Sequence, residues 1–161
     1  MPNSPTNNVI NVVVAGLGGQ GVLKASSILA DVAFRAGRDV KKSEVHGMSQ
    51  RGGSVVSDVR FGDHVFSPMV PPGEADFLVV LASSEVEVAR PMLKPGGVLI
   101  HPGLIDETRL TNKRSLNVAL LGALASRLDL ADNLWHAAIT AALPEKLHPA
   151  NLNAFALGKK S

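Results

Sequence analysis

The strongest constraint on the fold is a glycine-rich turn between a β-branched run and a helical pattern. Residues 9–15 read VINVVVA, a short continuous apolar run typical of a parallel strand buried on both faces. The next six residues, GLGGQG, match G-x-G-x-x-G, and a helical pattern extends from residue 20 to residue 36. Such a turn lets the backbone approach a phosphate closely at a helix N-terminus, although it also serves simply to pack a strand against a helix. The candidate ligand- or interface-binding residues here are Gly16, Gly18, Gly19, Gln20 and Gly21.

The rest of the chain continues this alternation of strands and helices. Further strand patterns lie at 39–45, 54–61, 77–82 and 97–100. Residues 64–66 predict a return strand that makes a hairpin with 54–61. Helical patterns in the last third lie at 116–128, which is apolar on most sides and predicted to be deeply buried, and at 134–143 and 149–157. We therefore predict an α/β fold, a Rossmann-like three-layer domain with a mostly parallel sheet.

Length and charge limit the domain organisation and the partners. A chain of 161 residues fits one domain, predicted to span 9–161 after a flexible tail at 1–8. The net charge is +2 and no basic run exceeds two residues, so we expect no nucleic-acid partner. There is no apolar signal-peptide core and no apolar stretch of 18 residues. The expectation is a cytoplasmic protein with no membrane contact.

Composition also excludes several kinds of chemistry. The chain contains no cysteine, so it offers no thiolate nucleophile and no cysteine ligand for zinc or an iron–sulfur cluster. Its five histidines lack metal-ligand spacing, and G-x-S-x-G does not occur. We therefore predict no catalytic residue and no metal site in this chain.

A second unusual loop follows the 39–45 strand. Arginine beside two glycines places a guanidinium fork next to backbone that a ligand can approach, which suits a carboxylate or a phosphate. Alternatively, Arg51 pairs with a nearby acid or with a neighbouring subunit, and both interpretations stay open. The candidate residues of this loop are Ser49, Gln50, Arg51, Gly52 and Gly53.

The glycine turn raises the alternative of a stand-alone dinucleotide-binding oxidoreductase. Such a site uses an acidic residue about 20 positions further on, at the end of the second strand, to hold a ribose. Asp39 and Glu44 flank that position, and neither fits it clearly. A pure interaction module is the other alternative.

Five segments in a fixed order give the chain a family resemblance. They are Gly16–Gly21; 46–55 (HGMSQRGGSV); 59–62 with Ser67-Pro68; 75–78 with Glu85; and Asn117 with 121–122, Asn151, 154–155 and Gly158. On these residues the chain resembles the gamma-type subunits of 2-oxoacid:acceptor (ferredoxin) oxidoreductases. The 46–55 stretch is most similar to the beta subunit of the indolepyruvate:ferredoxin oxidoreductases.

The resemblance implies a small, non-redox subunit of a larger complex. In that family the larger catalytic subunits bind thiamine diphosphate with magnesium and the iron–sulfur clusters. The complex converts a 2-oxoacid and coenzyme A to acyl-CoA and carbon dioxide and reduces ferredoxin. For this chain it implies an aryl pyruvate such as indolepyruvate as substrate, and no cofactor bound by the chain alone. The glycine turn would then lie at the subunit interface or hold a phosphate-bearing ligand such as coenzyme A.

Overall fold

The structure is a computed structural model that describes residues 8–46 and 53–161. Its strands are β1 (Ile10–Leu17), β2 (Asp39–His46), β3 (Ser54–Gly62), β4 (Ala75–Val80) and β5 (Leu93–Ile100). Its α-helices are α1 (Val22–Arg35), α2 (Val86–Ala89), α3 (Leu116–Ala125), α4 (Asp132–Ala142) and α5 (His148–Lys159). None of the helices in these ranges is long and apolar enough to cross a membrane. Residues 1–7 of the predicted tail lie outside the described residues.

The described strands form one sheet in the order β2-β3-β1-β4-β5. Strand β1 is parallel to β4, and β4 is parallel to β5. Strand β3 is antiparallel to both of its neighbours, β1 and β2, so β2 points the same way as β1. The predicted α/β fold with a mostly parallel sheet is confirmed, since β3 alone among the described strands runs in reverse.

The predicted hairpin between β3 and residues 64–66 is wrong, because residues 64–66 form no strand. Strand β3 is already paired along both edges, with Ile10 opposite Phe61 on one side and Asp39 opposite Gly62 on the other. No free edge is left for a return strand. Instead the Asp39 carboxylate accepts a hydrogen bond from the Val65 N–H at 2.7 Å, and Val65 is buried.

The two faces of the sheet are covered differently. Val12 and Val14 of β1 pack into the larger core with residues of α1 and α3. Helix α4 packs on α1, and α5 packs on α3. Val13 and Ala15 point to the opposite face, where the smaller core is closed by Val70 and by Ala89 of the four-residue α2. The three layers are therefore the long helices, the sheet, and α2 with the segment around Val70.

Helix α3 lies at the centre of the helical layer, as its apolar pattern predicts. Every residue from Asn117 to Ala125 is buried. Its contact with α5 is close because the two helices meet at glycines. A Cβ atom on Gly158 would overlap the carbonyl oxygen of Ala119, and one on Gly122 would overlap that of Phe155. Backbone contact of this kind fixes the position of α3, and α3 in turn carries part of the site described below.

Candidate functional site

The candidate site lies at the edge of the sheet where β1 and β4 end, here called the carboxyl edge. The N–H of Leu81, just after β4, donates to the carbonyl oxygen of Ala15 at 2.8 Å. Because β3 is antiparallel, its first residue Ser54 lies at the same edge, opposite Leu17. Ligands of open α/β sheets bind in the crevice outside this edge.

The glycine turn is braced by its own glutamine. The Gln20 Oε1 atom accepts a hydrogen bond from the Leu17 N–H at 2.7 Å, and the Gln20 N–H donates to the Leu17 carbonyl at 3.2 Å. Gly19 and Gly21 both have a φ of 83°, the left-handed region in which glycine is strongly favoured. Gln20 therefore holds the turn in shape from within.

The two loops predicted from the sequence meet at this edge. The Gly18 N–H donates to the Gly53 carbonyl at 2.9 Å, so the turn after β1 is joined to the residue before β3. The other residues of the second loop, Ser49, Gln50, Arg51 and Gly52, lie outside the described residues. The ligand or interface role of that loop stays a prediction.

Helix α1 begins here without a side-chain cap. Gly21 is its N-cap residue, and the first turn of the helix contains no acidic residue. The first N–H groups of a helix have no partner within the helix, and its N-terminus carries a partial positive charge. This helix end therefore presents donors and positive potential to the space beside the turn.

A cavity of about 650 Å³ opens on this helix end, and we call it the glycine-loop cleft. Its cations are Lys24 of α1 together with Lys113 and Arg114, which precede α3. No acidic residue lines it, and none of the three cations forms an ion pair within 8–46 and 53–161. Lys24 is held by donating to the Ala142 carbonyl at 3.1 Å. The cleft is thus suited to an anion.

Asn117 ties α3 to the glycine turn. Its side chain is 8% exposed, and its Nδ2 atom donates to the Gly21 carbonyl at 3.3 Å. A Cβ atom at Gly21 would lie 2.5 Å from that same Nδ2 atom, so the two residues fit only because Gly21 has no side chain. Asn117 therefore sets the distance between the N-terminus of α3 and that of α1.

A second cavity, of about 550 Å³, lies on the other side of the turn. It is lined by Leu17, Gly18 and Val55, and it shares Gly19, Gly21 and Lys24 with the glycine-loop cleft. The turn therefore stands between two spaces. An extended ligand with a phosphate at the turn could place its two ends in them.

The residues that sequence reasoning missed are the cations before α3. Lys113 and Arg114 are separated from the turn by more than 90 positions in the chain, so no local motif joins them to it. One feature of the sequence could have pointed to these two residues. Positive charge at a helix N-terminus is disfavoured by the helix dipole, so a Lys-Arg pair directly before an apolar helix indicates a requirement other than helix stability.

The carboxylates considered for ribose binding do not reach this site. Asp39 begins β2 at the opposite edge of the sheet and is bonded to Val65. Glu44 forms an ion pair with Lys42, with 2.7 Å between Oε1 and Nζ. Its strand, β2, is separated from β1 by β3. The described residues hold no group of three or more His, Cys, Asp or Glu side chains that could bind a metal ion.

The chain is similar to known proteins both in sequence and in fold. The profile of the family described as "Pyruvate ferredoxin/flavodoxin oxidoreductase" matches residues 11–161. The curated relative "Indolepyruvate oxidoreductase subunit IorB" of Pyrococcus horikoshii is 34% identical over 193 aligned positions. That alignment covers 94% of this chain and 95% of the relative.

Two solved structures have the same fold. The gamma subunit of a keto/oxoacid ferredoxin oxidoreductase from Geobacter sulfurreducens has a TM-score of 0.81 at 23% identity, covering 94% of this chain and 96% of that one. The 2-oxoglutarate:ferredoxin oxidoreductase from Magnetococcus marinus, solved with 2-oxoglutarate, coenzyme A and succinyl-CoA bound, has a TM-score of 0.80 at 20% identity. It covers 94% of this chain and 30% of that one. At these identities the likeness shows the fold.

Proposed function

Because the chain belongs to the pyruvate ferredoxin/flavodoxin oxidoreductase family, as a small subunit of a 2-oxoacid:ferredoxin oxidoreductase complex, we propose that its complex acts on an aryl pyruvate such as indolepyruvate. The complex would join the acyl group of that 2-oxoacid to coenzyme A, release carbon dioxide and pass electrons to ferredoxin. The observation that carries the proposal is the match to an indolepyruvate oxidoreductase subunit over almost the whole length of both chains.

The redox groups of the complex are assigned to the larger subunit. This chain has no cysteine, and the described residues form no cluster of metal ligands. Without cysteine, the chain cannot supply the thiolate ligands of a cysteine-ligated iron–sulfur cluster. The larger catalytic subunit would supply the thiamine chemistry and the contact with ferredoxin.

The contribution of this chain is to hold coenzyme A in the glycine-loop cleft. The free N–H groups of α1, the glycine backbone and the three cations match the pyrophosphate and 3′-phosphate of that molecule. The Magnetococcus marinus enzyme, which has this fold in part of its chain, was solved with coenzyme A bound. The candidate residues Gly16, Gly18, Gly19, Gln20 and Gly21 would line the phosphates, and Ser49 to Gly53 would face the ligand or the partner subunit.

The same proposal includes the organisation of the chain. Residues 9–161 would act as one domain after a tail at 1–8. The complex would work in the cytoplasm, and ferredoxin would be reached through the larger subunit. No observation on the described residues favours the stand-alone dinucleotide enzyme as a second candidate.

The test is a substrate comparison on the assembled complex. The chain is co-expressed with the larger subunit from the same source, purified without oxygen and assayed for coenzyme A-dependent ferredoxin reduction. Indolepyruvate, phenylpyruvate, pyruvate, 2-ketoisovalerate and 2-oxoglutarate are compared, and omission of coenzyme A is the control. We expect kcat/KM for the aryl pyruvates to exceed that for the aliphatic acids by about tenfold or more. Preference for pyruvate, 2-ketoisovalerate or 2-oxoglutarate would contradict the substrate proposal and leave the family assignment intact.

A further inference from the structure

An apolar slot of about 300 Å³ lies on the face of the sheet opposite α1 and α3. Its floor is formed by Val13 and Ala15 of β1 with Val56 of β3. One wall is the segment around Val70, and the other is α2 with the turn that follows it. We call this cavity the apolar slot.

Apolar side chains stand exposed at the mouth of the slot. Val88 of α2 is 69% exposed and Met69 is 55% exposed. Met69 and Met92 both line the slot, and methionine is a flexible side chain that adapts to the shape of a protein partner. Among the described residues, this face is covered by the four-residue α2 with its flanking helical turns and by residues 63–74, which contain no regular element, whereas the fourteen-residue α1 lies on the other face.

The polar groups of the slot are acidic. At one end the Ser54 hydroxyl donates to Glu85 Oε2 at 3.0 Å. At the other end Asp58 is buried and its Oδ2 accepts from the Val70 N–H at 2.9 Å. No lysine or arginine among residues 8–46 and 53–161 lines the slot. Arg60, the nearest cation on β3, is occupied by Asn11 at 2.8 Å and by the Ser67 carbonyl at 2.8 Å.

These features complement a protein segment that presents an apolar side chain next to an arginine or lysine. The apolar part would fill the space over Ala15, and the cation would meet Glu85, which is partly exposed. Charge complementarity of this kind fixes the orientation of a complex as well as adding affinity. In the Magnetococcus marinus enzyme the same fold is 30% of one chain, so there it is joined to other parts of the same polypeptide.

The position of the slot would bring a bound protein close to the glycine-loop cleft. Ser54, at its acidic end, pairs with Leu17, the last residue of β1 before the glycine turn. Val55 lines both the slot and the cavity beside that turn. A protein seated in the slot would therefore lie next to the glycine-loop cleft without covering its cations.

We propose that the apolar slot is the docking surface for the larger catalytic subunit and receives from it an apolar side chain that neighbours an arginine or lysine. This inference rests on the proposed function, since it names the face through which the small subunit joins its complex.

The test compares two exposed apolar residues on opposite faces. Val88→Glu places a charge at the mouth of the slot, and Phe34→Glu is the matched control, because Phe34 is 73% exposed on α1. Glu85→Gln removes the charge expected to meet the partner's cation. The dissociation constant between the chain and the larger subunit is measured without oxygen, and thermal unfolding of each variant verifies that it folds.

We expect Val88→Glu to weaken the complex by about thirtyfold, Glu85→Gln by about fivefold, and Phe34→Glu by less than about twofold. If the wild-type chain binds and Val88→Glu binds as tightly, the slot proposal is overturned and the proposed function stands. Equal loss in Val88→Glu and Phe34→Glu overturns it as well. If the wild-type chain binds no larger subunit, both proposals fall. Loss of self-association by Val88→Glu in light scattering, with the hetero-complex unchanged, would instead assign the slot to a second copy.

Discussion

The glycine-loop cleft lies beyond the carboxyl edge of the sheet, the apolar slot lies on one face of β1 and β3, and the two differ in what builds them. The cleft is made of backbone N–H groups, a helix N-terminus and three cations, with no acidic residue in its lining. Among the described residues, the slot is made of apolar side chains with two acidic residues and no cation. On our proposals, one small domain keeps its site for a charged ligand apart from its surface for a protein.

The largest effect is expected where the helical layer supports the cleft. Gly158→Ala should lower the free energy of unfolding by about 3 kcal/mol, because the new Cβ would lie 2.8 Å from the carbonyl carbon of Ala119 and force α3 to move. Ala156→Val, at an exposed position of α5, is the control and should lower the free energy of unfolding by only about 0.5 kcal/mol, through the lower helix propensity of valine. Urea unfolding followed by circular dichroism measures both. Equal stability of the two variants would show that α3 and α5 do not meet at their backbones.

The next largest effect is expected from removing a positive charge from the glycine-loop cleft, which should leave the apolar slot unaffected. Lys113→Ala and Arg114→Ala should each raise the Kd of coenzyme A by about tenfold in titration calorimetry, since each removes a charge-assisted bond to a phosphate. The loss should shrink as salt is added. Lys160→Ala, which lies outside the cleft, is the control. Neither cleft variant should change the affinity for the larger subunit. An unchanged coenzyme A affinity in both variants would show that coenzyme A does not bind in the glycine-loop cleft.

A smaller effect is expected at the contact between α3 and the turn. Asn117→Ala should cost about 1 kcal/mol of unfolding free energy, because the Gly21 carbonyl loses its 3.3 Å donor. The coenzyme A Kd should rise by about threefold, less than for the cations, since Asn117 acts by positioning the turn. Asn153→Ala, exposed on α5, serves as the comparison. A larger loss of coenzyme A affinity than in Lys113→Ala would mean that Asn117 touches the ligand itself.

The smallest effect concerns Asp58 in the slot. Burial raises the pKa of its carboxyl above the ordinary value of 3.8, against the opposing effects of the Val70 N–H and Arg60. The Asp58 carboxyl therefore loses its proton at a lower pH in the unfolded chain than in the folded one. As pH rises from 3.8 through the raised pKa, this difference lowers the free energy of unfolding. Asp58→Asn keeps an acceptor for Val70 and removes the charge. Its stability relative to wild type should therefore increase across that window and level off above it, as unfolding at a series of pH values will show. A difference that is independent of pH would contradict this.

Much of the local structure could be predicted, because strands and helices are set by neighbouring residues. The apolar run before Gly16 predicted β1, the pattern to residue 36 predicted α1, and the all-round apolar character of 116–128 predicted the buried α3. Pro144 marks the end of the helical pattern at 134–143, and α4 ends at Ala142. The meeting of the two loops at Gly18 and Gly53 follows once both are placed at the carboxyl edge.

What could not be predicted depends on contacts between distant segments. The sequence pattern of β3 is the same whether it pairs with residues 64–66 or inserts between β1 and β2, so the pairing was predicted wrongly. Lys113 and Arg114 reach the cleft only because α3 lies beside α1. The apolar slot has no motif at all, since it exists where a short α2 leaves the sheet partly uncovered.

If this chain is a required subunit of a 2-oxoacid:ferredoxin oxidoreductase, the larger subunit depends on it for turnover. The most direct measurement is ferredoxin reduction by the purified larger subunit, with indolepyruvate and coenzyme A, as this chain is added without oxygen. We expect little turnover in the absence of this chain and a rise that saturates at a fixed ratio of the two chains. Full activity of the larger subunit alone, with no change on addition of this chain, would contradict it.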